Sequence, residues 1–189
     1  MSDRSPILIV PGLDGSGPGH WQTLWESSYP RARRAAQRDW EAARCSEWVE
    51  GLHGALASSG PDTILVAHSL GCALVAHWAR ARWLPVRGAL LVAPADVERP
   101  GFPARAEGFA PLPLGRLPFP STVVAGTNDP VVTLERARHF AERWGSQLVA
   151  LEAVGHLNLA SGHGPWPEGL RLLRELEQHS ADRPLRRAV

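Results

Sequence analysis

The stretch from Thr63 to Ala79 constrains this chain more than any other. A short β-branched and apolar run, Thr63-Ile64-Leu65-Val66-Ala67, breaks at His68-Ser69-Leu70-Gly71 and resumes as the Ala- and Leu-rich segment Cys72 to Ala79. The pattern is that of a buried strand turning sharply into a helix, with one hydroxyl, that of Ser69, at the turn. Such a turn brings backbone from both sides close together, so small residues are needed two before and two after the serine. Ala67 and Gly71 stand there. The same turn leaves the backbone N–H of Leu70 at a helix N-terminus, where an anion beside Ser69 Oγ would be favoured. A buried strand and helix joined by an ordinary Ser-Leu-Gly turn has the same local pattern, so the rest of the chain must decide.

The chain of 189 residues suits one domain, with no second core required. Its 20 basic and 19 acidic residues leave a net charge of +1, so no global field favours nucleic acid or an anionic membrane. All the basic residues are arginine. Without lysine there is no P-loop lysine, no Schiff base and no Ser-Lys dyad. The two cysteines, Cys45 and Cys72, match neither a metal-ligand spacing nor a redox pair, which fits reduced thiols used in packing. The polar N-terminus and the short Ile7 to Val10 run suit neither a signal segment nor a membrane span. A soluble, cytoplasmic protein is expected.

Read in order, Ile7 to Val10 is a continuous apolar strand followed by the glycine-dense loop Gly12 to Gly19 and a helix beginning near His20-Trp21. Arg33 to Gln37 reads as a weak edge strand. Cys45, Trp48, Val49, Leu52, Ala55 and Leu56 recur at helical spacing. Further strands are expected at Ala89 to Ala93, Thr122 to Ala125 and Gln147 to Leu151, with helices at Leu134 to Trp144 and Trp166 to Gln178. Pro94 to Pro120 shows no periodicity, and a loop of that length usually has a function. The eight tryptophans fall mostly where helical spacing buries them. Six strands alternating with helices predict an α/β fold with a parallel sheet and helices on both faces. Ligands then bind at the C-terminal strand ends.

Those ends carry Gly12-Leu13, Ser69, Asp96, Asn128-Asp129-Pro130 and Gly155-His156. The order Ser, Asp, His is that of the α/β-hydrolases. Serine is a poor nucleophile at neutral pH, so it needs His156 as base, and the imidazole needs a carboxylate to hold its tautomer. Asp129 is the candidate acid, although Asn-Asp-Pro is also a common turn. Asp96 is the rival acid and His163 the rival base. His68 is expected to pack or bond locally away from the turn, and His20 either to stand over the site or to cap its helix. The glycines of the 12–19 loop, with Asp39 about 20 residues further on, also allow a dinucleotide-binding reading. The hydrolase reading instead uses the loop to aim the Leu13 N–H at an oxyanion.

Taken together, Ile9-Val10-Pro11-Gly12, His20-Trp21, Ala67-His68-Ser69-Leu70-Gly71, Pro94-Ala95-Asp96, Asn128-Asp129-Pro130, Gly155-His156-Leu157-Asn158 and Ser161 to Trp166 resemble the YdeN / retinoblastoma-binding protein 9 family of small α/β-hydrolases. The resemblance covers nearly the whole chain to about Leu176. It implies a reduced single-domain α/β-hydrolase fold over residues 1–179, lacking the first two strands and any large cap, with the triad Ser69, Asp129 and His156. Residues 180–189 are expected to form a loose polar tail. The protein partner behind the family's name does not transfer.

The expected function is a serine hydrolase, carboxylesterase-like, cleaving a small ester or amide through an acyl-enzyme on Ser69. Leu13 and Leu70 are the expected oxyanion donors. His20, Trp21, Phe102 and Phe109 are the expected substrate contacts. No metal and no cofactor is implied. The chain is expected to act as a monomer or small homo-oligomer. A catalytically silent interaction module on the same fold is the alternative.

Overall fold

The computed structural model describes residues 4–82 and 84–181. It begins with β1 (Ile7–Val10), followed by α1 (Trp21–Ser28), β2 (Ala32–Arg34), β3 (Ala43–Arg44), α2 (Cys45–Ala57), β4 (Ile64–His68) and α3 (Leu70–Ala81). The second half comprises β5 (Gly88–Val92), β6 (Ala106–Glu107), β7 (Ser121–Gly126), α4 (Leu134–Trp144), β8 (Gln147–Leu151) and α5 (Pro167–Ala181). Six strands form one sheet in the order β2-β1-β4-β5-β7-β8, and every pair in it is parallel.

The continuous apolar runs are explained by burial on both faces. Along β1, Leu8 and Val10 join the core under α2, α3 and α4, whereas Ile7 and Ile9 join that under α1 and α5. The period of two repeats in β4, where Leu65 and Ala67 face one way and Ile64 and Val66 the other. Edge strand β2 is shorter than expected and shifted towards the N-terminus. After Arg34 only one further sheet bond follows, from Ala35 N–H to the Ile9 carbonyl, and the chain then leaves the edge.

The Pro94 to Pro120 segment contains β6, which pairs in parallel with β3 in a second, two-stranded sheet. Two residues are too few for a period to register in the sequence. Phe109, Leu112, Leu117 and Phe119 from this segment are buried against the helices of the first core. His77 Nε2–H and Trp144 Nε1–H donate to the carbonyls of Phe109 and Pro113, at 2.9 and 2.8 Å. The segment is thus a belt over that core. Among the described residues, no large cap covers the strand ends.

At the C-terminus, α5 continues through the buried Ser180, whose hydroxyl donates to the Leu176 carbonyl at 2.7 Å. The first residues of the expected tail therefore belong to the helix, and 182–189 lie outside the described residues.

Two glycines separate close packing from mere tolerance. A Cβ on Gly71 would overlap the Val10 carbonyl oxygen and come within 2.7 Å of that of Pro11, both on rigid backbone. Gly54, exposed in α2, has open space around it. Gly71→Ala should therefore cost more than about 3 kcal/mol, and Gly54→Ala should add about 0.5–1 kcal/mol. Urea denaturation of the two variants checks both signs.

Candidate functional site

The strand-to-helix turn after β4 holds Ser69 at φ 53 and ψ −120, a conformation that costs a non-glycine residue of order 1–3 kcal/mol. The surroundings enforce it. Ser69 N–H donates to the Val92 carbonyl at 3.0 Å, and the Ser69 carbonyl accepts from Cys72 and Ala95 N–H. Gly12 closes the other side, where a Cβ would meet Ser69 Cβ at 3.0 Å and Leu70 N at 3.1 Å. The Gly12-Leu13 backbone therefore lies directly beside the Ser69-Leu70 backbone. Leu70 opens α3, so its N–H has no partner within the helix.

Ser69 Oγ is 2.9 Å from His156 Nε2. On the other side of the ring, His156 Nδ1 is 2.8 and 3.0 Å from the two oxygens of Asp129. A carboxylate beside Nδ1 fixes the proton there, leaving the Nε2 lone pair for the serine hydroxyl. Asp129 is itself held by Val131 N–H, which donates to Oδ1 at 2.7 Å. Its side chain is wholly buried. Asn128 Oδ1 accepts from Gly155 N–H at 2.7 Å and so clamps the histidine loop to the end of β7.

Asp96 is not part of this chain of hydrogen bonds. Both of its oxygens accept from Arg136, from Nε at 2.8 Å and from NH2 at 3.0 Å. His163 is likewise elsewhere, 3.4 Å from Ser161 Oγ and beside the Trp166 ring.

His68 departs from expectation, since its ring lines the cleft next to His156 at a centroid distance of 4.9 Å. Its Nε2–H donates to the His156 carbonyl at 2.9 Å. The following carbonyl, that of Leu157, accepts from Trp21 Nε1–H at 2.8 Å. The histidine loop is therefore gripped at two successive carbonyls from below. His20 caps α1, accepting from Gln22 N–H through Nδ1 at 3.1 Å, and it also lines the cleft.

Of the expected substrate contacts, His20 reaches the cleft and the three others do not. Trp21 is fully buried beneath it, edge-on to Trp25 and Trp166. Phe109 is fully buried between Trp48 and His77 in the first core, and Phe102 packs half-buried against that core. An aperiodic apolar segment can cover a core as readily as a substrate, and its aromatic residues satisfied the core.

The glycine loop is also committed. Arg34 donates to the Gly15 carbonyl and, through NH2, to Thr23 Oγ1 at 2.8 Å. Asp14 N–H donates to the Trp40 carbonyl at 2.8 Å. The α1 N-terminus, where a pyrophosphate would sit, is capped by His20, and the exposed Asp39 accepts from Glu41 and Ala42 N–H in a local turn. Buried Gln22 donates to the Val66 carbonyl at 3.0 Å and accepts from Ser16 Oγ at 2.7 Å, tying loop to sheet. The sequence assigned no positioning role to Arg34, Gln22 or Asn128, whose partners are distant in the chain, nor to Asn158. Only Asn158, three residues before Ser161, carried a local capping signal, and the two residues form a capping box.

The cleft above Ser69 has a volume of about 300 Å3, at the lower end of the usual range for small-molecule sites. A larger hollow of about 570 Å3 lies beside Cys45 and His77. Burial pushes the Cys45 thiol up to about 11, so it stays protonated, and Arg82 and Glu50 at that rim pair with each other at 2.6 Å. Among the described residues, no cluster of three or more His, Cys, Asp or Glu could hold a metal, and no helix is long and apolar enough to cross a membrane.

The serine hydrolase family model matches residues 7–175. The chain belongs to the serine hydrolase family. Its fold is shared with a YdeN-like hydrolase of Pectobacterium atrosepticum at 32% identity and a TM-score of 0.83, covering 95% of this chain and 94% of the other. This places it among the YdeN-like small serine hydrolases. The ydeN product of B. subtilis superposes with a TM-score of 0.75 at 19% identity, over 92% of this chain and 98% of the other. A thermophilic esterase of Thermogutta terrifontis shares the fold at 18% identity and a TM-score of 0.65, over 94% and 90%. No curated protein matches the chain.

The buried histidines give this serine hydrolase a testable pH dependence. His20 titrates well below its ordinary 6.5, at about 4, chiefly through burial and then through the charges of Arg34 and His156. His68 is lowered in the same direction by burial and by His156 and His20. The unfolded chain takes up these protons near pH 6.5, whereas in the folded protein both imidazoles resist protonation there, His20 until about pH 4, so stability is full above pH 6.5 and falls as pH drops below it. The urea midpoint should fall between pH 7 and 4.5. In His20→Asn, which keeps an N-cap acceptor without a titrating group, the fall should be smaller, and an equal fall would remove His20 from the account.

Proposed function

We propose that the protein is a carboxylesterase-like hydrolase acting on small esters or amides through an acyl-enzyme on Ser69. The observation that carries this reading is the continuous line from Ser69 Oγ to His156 Nε2 at 2.9 Å and from His156 Nδ1 to Asp129 at 2.8 Å. Ser69 attacks the carbonyl carbon while its proton passes to His156 Nε2. The oxygen of the tetrahedral intermediate lies between the N–H groups of Leu13 and Leu70, which the close approach of Gly12 to Leu70 supports. His156 then donates its proton to the departing alcohol or amine. Water attacks the acyl carbon with His156 again as base, releasing the acid and restoring Ser69. Asp129 stays ionised throughout and stabilises the imidazolium. The two free, buried cysteines suit a reducing compartment.

Labelling with a fluorophosphonate, followed by peptide mass spectrometry, should modify Ser69 alone and should vanish in Ser69→Ala. A folded protein that resists the probe would sink this reading. Asp129→Asn should lower kcat on p-nitrophenyl acetate by roughly 10⁴. Asp96→Asn, which breaks only the pair with Arg136, should cost far less. Reversed magnitudes would move the acid to Asp96.

A further inference from the structure

Resting on the esterase reading above, the geometry points to Leu159 as a specificity determinant that holds an apolar leaving group, so that the preferred substrates are small, uncharged esters of apolar alcohols. Among the described residues Leu159 is the one large apolar side chain that is exposed, at 54%. It stands on the rim of the Ser69 cleft, and the other large apolar groups among the described residues are buried or half-buried. A lone exposed leucine elsewhere would call for no explanation. Here it extends an apolar edge with Pro18 and Ala160, which also line the cleft.

The side chain is held in place. Leu159 opens a 3-10 turn capped at both ends of the Asn158–Ser161 box, with Ser161 N–H donating to Asn158 Oδ1 at 3.0 Å and Asn158 N–H to Ser161 Oγ at 3.0 Å. Across the cleft it lies over Gly19, where even a Cβ would come within 3.5 Å of Leu159 Cδ2. The leucine therefore stands close to the Gly19 loop at the mouth of the site.

The chemistry decides which half of the substrate it meets. The acyl oxygen must face the 12–13 backbone and the start of α3, where the N–H donors are. His156 Nε2 must hand its proton to the leaving oxygen, so the alcohol portion lies against the wall that carries His156. Asn158, Leu159 and Ala160 continue that wall. An alkyl or aryl group on the alcohol extends along it and covers Leu159.

Charge supports the same class. Among the described residues, Asp14 is the only carboxylate lining the cleft, and Arg105 pairs with it through two bonds of 2.5 and 2.8 Å. His20 and His68 are held neutral by burial. The described residues that line the cleft thus offer a charged substrate no unpaired carboxylate or guanidinium, and an unpaired charge laid against Leu159 would be costly.

The test is kcat/KM on two series, alkyl acetates from methyl to hexyl and p-nitrophenyl esters from acetyl to hexanoyl, with wild type and Leu159→Gln. Each methylene against apolar surface contributes about fourfold at most. Wild type should favour hexyl over methyl acetate, and the ratio should fall about tenfold in Leu159→Gln, while the slope of the acyl series should be the same in both proteins. A change confined to the acyl series, or no change in either, overturns the assignment. An acetyl ester of a carboxylated alcohol that proved better than hexyl acetate would overturn the uncharged class. Fluorophosphonate labelling of Ser69 in the same preparations separates the failures: labelled protein with unchanged ratios sinks only the Leu159 proposal, whereas folded, unlabelled protein sinks the esterase reading with it.

Discussion

Everything at this site depends on the backbone of Ser69 being held at a positive φ between β4 and α3. That conformation lifts the hydroxyl off the sheet and leaves the first N–H of α3 beside it. It persists because the elements around it leave no alternative. Gly71 lets α3 cross against the end of β1, with no room for even a methyl group, and Gly12 lets the next loop lie against Leu70. The strain is offset by the burial of β4, which is complete, and of most of α3. A relaxed turn would give up that packing.

The histidine loop is constrained as tightly, by unlike means. Gly155 at φ 59 and Leu157 at φ 50 bend it sharply. Asn128 holds its start, the carbonyls of His156 and Leu157 accept from His68 and Trp21, and the Asn158–Ser161 box closes it. Each grip comes from a different element: β7, β4, α1 and the loop itself. His156 thus meets Ser69 with little freedom left to lose, the kind of positioning that the proposed acyl transfer would use. The cost is a cluster of buried imidazoles whose charged forms are disfavoured, which ties this geometry to pH.

The two aspartates show how one residue type at neighbouring strand ends takes different work. Asp129 sits with its side chain fully buried against Nδ1 of His156. Asp96, one strand nearer Ser69, is claimed by Arg136 at the start of α4. A bidentate arginine partner engages both carboxylate oxygens and holds Asp96 against α4, away from the imidazole that Asp129 meets. The sequence left both acids open because the arginine that decides between them lies 40 residues away.

The sequence by itself determined the strands and helices of the main sheet layer and their order, though not the short β3–β6 pair, because burial on both faces writes continuous apolar runs into parallel strands and helical spacing writes amphipathic faces. It also marked Ser69 and Gly71 through the small residues that a sharp turn demands, and it brought Asp129 and His156 into consideration through their positions at strand ends. Tertiary structure alone decided the rest. It sent Phe109 into the core rather than the cleft, turned His68 under His156, capped α1 with His20, and left Leu159 exposed at the rim. The physical reason is that periodicity records only which face of an element is apolar. Which distant donor meets which acceptor, and which apolar side chain finds no room inside, is settled only when separate elements pack against one another.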